Sequence, residues 1–377
     1  MLRIGVNTRL LIKDKLDGIG WYQFEVLKRM TFDHPEHQFY FFFDRQFDPS
    51  FVFSKNVTPI VLRPQARHPI LFKIWFNHSI RKALAKHRID LFYSPDGYIS
   101  LTSPVKQVGT FHDLNFEHFP NDLRPSHAKY YSVQFPLFAK KANHIITVSE
   151  FSKTDIVKRY GVDPSNITVI YNGVNTDYKP LDEEQKEHCR AKFTDGNSYF
   201  LHVGSLHPRK NISRLIMAFN QFKKTTNSNI KLVLAGNKSN WTNEMEEAFQ
   251  QCGSSADIIF TKRLNQTDLL QLVGSAMCLT YVSYFEGFGM PILEAMKCGA
   301  PVITSNCTAI PEVAGNAALL IDPFKTNEIA NAMENIFSNS ALREELIKKG
   351  HYQVEKFSWD KSAEQTWHVF QNTINHA

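Results

Sequence analysis

What most constrains this chain is a rhythm that runs twice. Short runs of β-branched and aromatic residues alternate with helix-length amphipathic stretches, the mark of βα units and parallel sheets. In the first half, strands are expected near Arg3–Asn7, Phe39–Phe43, Leu91–Tyr93, Gln107–Thr110 and His144–Val148. After Asn172 and Gly173 the alternation restarts, with strands expected near Tyr199–Val203, Lys231–Leu234, Ile258–Phe260, Met277–Tyr281 and Pro301–Thr304. At 377 residues the chain is also too long for one ordinary core. The expected fold is therefore α/β, with two doubly wound, Rossmann-like domains. The boundary falls where a strand is expected to end in Asn172-Gly173 and an acidic stretch containing Pro180 leads to the next helix, giving residues 1–173 and 174–357. The last segment, 358–377, carries Trp359, Ala363, Thr366, Trp367 and Phe370 on one helical face and is expected to pack back on the first domain. Two such sheets facing each other leave a cleft at the carboxyl ends of their strands, where open α/β sheets bind ligands.

Composition excludes several other classes. With 43% hydrophobic and 21% charged residues the chain is neither disordered nor fibrous. No apolar run approaches the roughly 18 residues of a membrane span, and the opening MLRIGVNTRLL reads as a buried strand rather than an export signal. The five cysteines, Cys189, Cys252, Cys278, Cys298 and Cys307, lack the paired spacings of zinc sites or disulfide scaffolds, so reduced thiols and a cytoplasmic location are expected. Charge is uneven: residues 1–170 hold 23 Lys/Arg against 15 Asp/Glu, whereas the rest hold 20 against 22. Residues 63–88 alone hold seven Lys/Arg and no Asp/Glu, interleaved with Phe72, Ile74, Trp75 and Phe76. A basic helix with exposed aromatics there would lie on anionic lipid; an ordinary helix with core aromatics fits equally. No nucleic-acid-binding motif accompanies this charge, and no nucleic-acid partner is expected.

The stretch YFEGFGMPILEAMKCGAPVITS, Tyr284–Ser305, carries the most chemistry. Pro291 fits an early helix position, and the helix is expected to run to about Cys298 and stop at Gly299. Gly287, Phe288 and Gly289 then form the loop that feeds a helix N-terminus, where free N–H groups and the dipole favour a phosphate. Glycines at 287 and 289 let the backbone approach that guest. Glu294, one turn into the helix, can accept from a ribose diol. Glu286 precedes the turn, on the side of the phosphate's other substituent. Taken singly, Glu286 also fits a helix cap and Glu294 a solvated face.

This stretch, with its Glu-x7-Glu spacing, resembles the signature of the family 4 retaining glycosyltransferases, whose fold is GT-B. The resemblance extends in order through GIGWYQFEVLKRM, HDLNFEHFP, ITVSEFSKTDI, VIYNGV, HVGSLHPRKNISRLIMAF and IPEVAGNAALLIDP, and so covers most of the chain. It implies a nucleotide-sugar-binding second domain and an acceptor-side first domain. In VGSLHPRKN, Arg209 and Lys210 would meet the diphosphate leaving group. Many family members have an arginine directly after the glycine of this strand; Ser205 stands there here, and Arg209 is expected to supply that charge. His112, in GTFHDL, matches the histidine beside the donor sugar, and Asp113 would orient it or cap a turn. Gly18 and Gly20 match a loop near the donor phosphate and acceptor, and Arg263 and Leu264, in TKRLNQTDLL, are expected by the nucleobase.

No Asp-x-Asp pair or metal-ligand spacing is present, so transfer without a metal ion or other cofactor is expected; the resemblance implies retention of configuration, with Glu286 as nucleophile or electrostatic stabiliser. The Pro-Arg-Lys-Asn pattern resembles mannosyltransferases, which makes GDP-mannose the expected donor and a saccharide or lipid-linked saccharide of cell-surface polysaccharide or lipopolysaccharide assembly the expected acceptor. A peripheral contact through 63–88 with the inner face of the membrane follows from the same reading. A sugar-nucleotide epimerase and a non-catalytic nucleotide-sugar-binding scaffold are the alternatives.

Overall fold

In the computed structural model, which describes residues 1–375, the chain forms two compact units. The first is Met1–Gly173 together with the segment from Ser358 onward; the second is Val174–Phe357. The first unit holds strands β1 (Arg3–Asn7), β2 (Gln38–Phe43), β3 (Val57–Val61), β4 (Leu91–Ser94), β5 (Lys106–Phe111), β6 (His144–Thr147) and β7 (Ile167–Val169). They make one parallel sheet in the order β3-β2-β1-β4-β5-β6-β7. Strands such as QFYFFF are apolar almost throughout because helices cover both faces of a parallel sheet. The chain lays strands outward from β1 to the β3 edge, then returns to the other side of β1 for β4. The carboxyl ends of β1 and β4 therefore flank the crevice where the winding direction changes.

The second unit repeats this plan with β8 (Tyr199–Val203), β9 (Lys231–Ala235), β10 (Ile258–Phe260), β11 (Cys278–Tyr281), β12 (Val302–Ser305) and β13 (Leu319–Ile321). Its parallel sheet runs β10-β9-β8-β11-β12-β13, so the switch lies between β8 and β11. The helix Ile212–Thr226 shows why the layers hold together. Ile212, Leu215, Ile216, Phe219 and Phe222 recur at three- and four-residue spacing and are all fully buried. They pack with Phe200, Leu232 and Leu234 of the sheet and with Met333 and Ile336 of the neighbouring helix Thr326–Ser338. Each such large aliphatic or aromatic side chain contributes about 1.5–3 kcal/mol on burial.

The C-terminal helix begins at Trp359 and belongs to the first unit, lying against the first helix, Gly18–Asp33, and against β5 and β6. Trp359, Ala363, Thr366, Trp367 and Phe370 are buried. Trp367 stacks on His34 at 3.9 Å, and Phe370 meets Tyr93 edge-on at 4.9 Å. Gly173 permits this docking, because a Cβ there would fall 2.2 Å from the Trp359 amide nitrogen. Residues 376–377 of the expected 358–377 segment lie outside the described residues.

Three expectations are corrected. β3 and β13 had not been anticipated; both are edge strands, and Pro59 is tolerated in β3 because an edge leaves some N–H positions unpaired. The strand expected to end in Asn172-Gly173 stops at Val169, and an irregular segment carries the chain onward. In the 63–88 segment, Phe72, Trp75 and Phe76 are core residues stacked among Tyr98, Tyr130 and Phe138, not an exposed aromatic face. Helix Pro69–Ile74, a π-helical turn Trp75–Ile80 and helix Arg81–Lys86 bury the aromatics and leave all seven cations exposed. Its exposed apolar residues are Ile70 and Ile74.

Candidate active site

The switch point of the second sheet gathers a charged cluster. β8 ends at Val203 and runs through Gly204 into a 3-10 turn, Pro208–Lys210, which places two adjacent cations at the carboxyl end of the sheet. Asn211, at φ +60°, closes the turn, and its side-chain amide donates to the carbonyls of Val282 (3.1 Å) and Pro323 (2.6 Å), pinning the loop to the segment after β11. Glu286 enters from that segment. Arg209 Nη1 lies 2.7 Å from Glu286 Oε2, and Lys210 Nζ donates to Oε1 at 2.5 Å. The hydroxyl of Tyr281, the last residue of β11, donates to the same oxygen at 3.0 Å and accepts from Lys210. The Glu286 amide donates to Thr308 Oγ1 at 3.2 Å. Burial alone would disfavour the Glu286 charge, yet the Arg209 and Lys210 charges overcome it and pull the carboxyl down to about 2. Beneath the cluster, His202 is fully buried and stacks on Tyr281; its Nδ1–H donates to the Thr280 carbonyl. Burial and the Lys210 charge push it down to about 3, so it is a neutral ring.

The glycine turn has the form that its sequence implies. Gly289 adopts φ +106° at the N-cap of helix Met290–Lys297, with Pro291 in the first turn, and Gly299 follows at φ +74°. Gly287 and Phe288 are buried in the turn. Glu294 lies one turn inside, where burial raises its carboxyl to about 7 while a hydrogen bond from the Tyr178 hydroxyl works in the opposite direction. The neighbouring strand ends are in close backbone contact, since a Cβ on Gly236 would fall 1.8 Å from the Gly204 carbonyl oxygen.

In the first unit, His112 follows β5. Its Nε2 lies 2.8 Å from the Pro95 carbonyl, which can only accept, so Nε2 carries the proton and Nδ1 is the acceptor. Burial lowers its basicity, and Tyr22 packs edge-on against the ring at 4.9 Å. Tyr22 belongs to the helix whose first turn holds Gly18 and Gly20. The two glycines open that helix, and Asp17 caps it by accepting from the Gly20 amide at 2.9 Å. Gly18 faces open space, whereas a Cβ on Gly20 would crowd the Leu10 carbonyl at 3.3 Å. At the switch point of this sheet, Asn7 donates to Ser94 and Asp96, and Arg9 pairs with Asp96 at 2.8 Å under the ring of Tyr98.

A cavity of about 530 Å³ opens at the carboxyl ends of β9 and β10, lined by Gly236, Asn237, Lys238, Ser239, Phe260 and Lys262. Lys262 turns the chain at φ +59°, and Arg263 and Leu264 follow it. Among the described residues, no group of three or more His, Cys, Asp or Glu side chains could hold a metal ion, and no helix is long and apolar enough to cross a membrane.

Residues 18–178 match the family model described as Glycosyltransferase Family 4, and residues 183–353 match that of Glycosyl transferases group 1. The chain belongs to glycosyltransferase family 4. It is 27% identical over 371 residues to O-antigen chain mannosyltransferase B of Escherichia coli, covering 95% of this chain and 97% of that protein. It is 29% identical over 231 residues to O-antigen chain mannosyltransferase RfbU of Salmonella typhimurium, covering 61% and 60%. Among solved structures, sucrose-phosphate synthase from Thermosynechococcus elongatus superposes with a TM-score of 0.79 at 19% identity over the whole of both chains. WaaG, a glycosyltransferase involved in lipopolysaccharide biosynthesis, superposes at 0.77 and 16% identity over 99% of this chain and 100% of that one. At such identities these structures establish the fold, which is GT-B.

The glycosyltransferase assignment sets aside the epimerase and the non-catalytic scaffold. Within this transferase, Tyr281, Thr308, His202 and Tyr178 were missed from sequence. Asn211 stood in the quoted Pro-Arg-Lys-Asn pattern, but its αL turn and its two bridging bonds carry no signal that a short motif can reveal.

Proposed function

We propose that this transferase moves mannose from GDP-mannose to a saccharide or lipid-linked saccharide during cell-surface polysaccharide or lipopolysaccharide assembly, without a metal ion and with retention of configuration. The observation that carries the reading is the Arg209–Glu286–Lys210 cluster beside the N-terminus of helix Met290–Lys297. Two cations and the positive end of a helix dipole suit a diphosphate whose charge grows as the bond to the sugar breaks. The named relatives, both O-antigen mannosyltransferases, favour mannose. A carboxylate that shares its oxygens with two cations is a weak nucleophile, which favours Glu286 as a positioning and stabilising group over a covalent one. Glu294 takes the ribose diol, and the cavity beyond β9 and β10 takes the base, with Lys262 at its wall and Arg263 and Leu264 directly after it in the chain. His112 remains the proposed contact of the donor sugar, on the strength of its motif.

Turnover of GDP-mannose, UDP-glucose and ADP-glucose with a mannose-terminated acceptor tests the donor. The expected result is transfer from GDP-mannose that survives EDTA. Faster transfer from another sugar nucleotide would remove the donor assignment, and loss of activity in EDTA that magnesium restores would remove the metal-free mechanism.

For the acceptor side, we propose contact with an anionic lipid surface at the cytoplasmic face through a corrected set of residues. Helix Pro69–Ile74 packs on helix Pro125–Lys141, with Phe72 5.6 Å from Tyr130. The pair exposes Ile70, Ile74, Val133 and Leu137 beside Lys73, Lys129, Lys140 and Lys141, and neither helix contains an acidic residue. Each cation near an anionic leaflet contributes about 1 kcal/mol. Sedimentation with phosphatidylglycerol vesicles is expected to carry the protein down, and Ile70→Ser with Leu137→Ser to leave it in solution. No binding of the unaltered chain at moderate ionic strength removes the proposal.

A further inference from the structure

The cavity at the carboxyl ends of β9 and β10 has a cation mounted on its aromatic wall. The Lys238 ammonium lies 3.5 Å from the centre of the Phe260 ring, 4.6 Å from that of Trp241 and 5.7 Å from that of Phe249. The rings are themselves fixed. Trp241 and Phe249 meet Phe260 edge-on at 5.5 and 5.4 Å, and all three pack on the core of the second unit. The Trp241 indole N–H donates to Glu246 Oε2 at 2.8 Å. Lys238 and Phe260 both line the cavity, as does Lys262. Neither ammonium makes a hydrogen bond or an ion pair among the described residues, so the N–H donors of both remain for a guest.

A lysine at the surface carries a flexible stem, and holding it in one place for a ligand costs rotamer entropy. Ring faces attract the ammonium and restrict it in advance, so a bond to a guest loses less to ordering. The chemistry of the guest follows from the charge. A space of about 530 Å³ admits a purine or a pyrimidine, so size does not choose between them. The base edge does. Guanine presents O6 and uracil O4, both acceptors, where adenine carries its N6 amino group and cytosine its N4 amino group. An ammonium has donors only, so it matches the first pair and opposes the second.

We propose that Lys238 is a specificity-determining residue of nucleotide binding: held on the three rings, it selects a sugar donor whose base carries an oxo group over one whose base carries an amino group at the same place. This rests on the cavity being the base site. It does not rest on the base being guanine, because uracil satisfies the same donor.

The test is calorimetric binding of GDP, UDP, ADP, CDP and inosine diphosphate to the full chain at one ionic strength. Two matched pairs read the oxo group: inosine diphosphate against ADP, and UDP against CDP. In the wild type the oxo member of at least the tighter-binding pair is expected to bind roughly tenfold more tightly. Lys238→Met, which keeps a stem on the rings, is expected to reduce that ratio to about threefold or less, and Lys238→Arg to preserve it. An unchanged ratio in Lys238→Met overturns the proposal. So does an equal loss for all five nucleotides, which marks attraction to the diphosphate alone. Ser239→Trp, at the cavity wall, separates the two layers. If it leaves every affinity unchanged, the cavity is not the base site and Lys238 falls with that reading; if it weakens binding while Lys238→Met keeps the ratio, only the Lys238 assignment falls. Tighter binding of UDP than of GDP would count against GDP-mannose and leave this selection standing.

Discussion

Burial disfavours the Glu286 charge, and two cations hold it in place. That balance makes two predictions. Replacing Lys210 with methionine leaves a buried carboxylate with Arg209 as its remaining cation; breaking such a pair costs about 3 kcal/mol, read by urea unfolding of the second unit. Transfer is expected to fall by about 10²–10³-fold as well. The second concerns pH. The folded-state carboxyl titrates near 2, below its ordinary value of 4.5, so its stabilisation is present above 4.5 and is lost as pH falls toward 2. Acid unfolding should therefore steepen between pH 4.5 and 2 in the wild type, and less so in Glu286→Gln; identical profiles would contradict the pairing. The charged members of the cluster were legible because charge, glycine and proline at fixed spacing have few other uses. Tyr281 and Tyr178 were not. A buried tyrosine reads as core wherever it stands, and nothing local shows that the Tyr281 hydroxyl meets Lys210, 71 positions away.

At the scale of elements, the two glycines at the site differ in what they tolerate. Gly289→Ala meets a left-handed backbone, φ +106°, and a contact with Ile292 at 3.1 Å, for a cost of about 1–2 kcal/mol and a shifted turn into the helix. Gly236→Ala meets the Gly204 carbonyl itself and must move a strand end. The expected order is that Gly236→Ala lowers Tm more, while Gly289→Ala mainly raises donor KM; equal Tm losses would show that the backbone yields at 236. Central strands were read to within a residue or two because residues buried on both faces make dense apolar runs. Edges were read unevenly: β10 was found to the residue, whereas β13, which spans only Leu319–Ile321, and β3, which contains a proline, were not. The 63–88 segment misled for another reason. Composition cannot tell a lysine-lined aromatic face from a lysine-lined helix that turns its aromatics inward, and here a π-helical turn at Trp75–Ile80 buries Trp75 and Phe76.

For the whole molecule, the notable fact is that one unit is contiguous in the chain and the other is not. Trp359→Ala removes a large buried side chain at the junction with Gly173 and is expected to cost the first unit about 3–5 kcal/mol while leaving hydrogen exchange in the second unchanged. Protection lost in both units would show that they unfold as one body. The order of synthesis adds a constraint. A ribosome releases Met1–Gly173 first, but the helix that seals this unit emerges only after every residue of Val174–Phe357 has been translated. The nascent first unit must therefore wait with its docking face for Trp359, Trp367 and Phe370 uncovered while the second unit, complete in itself, folds ahead of it.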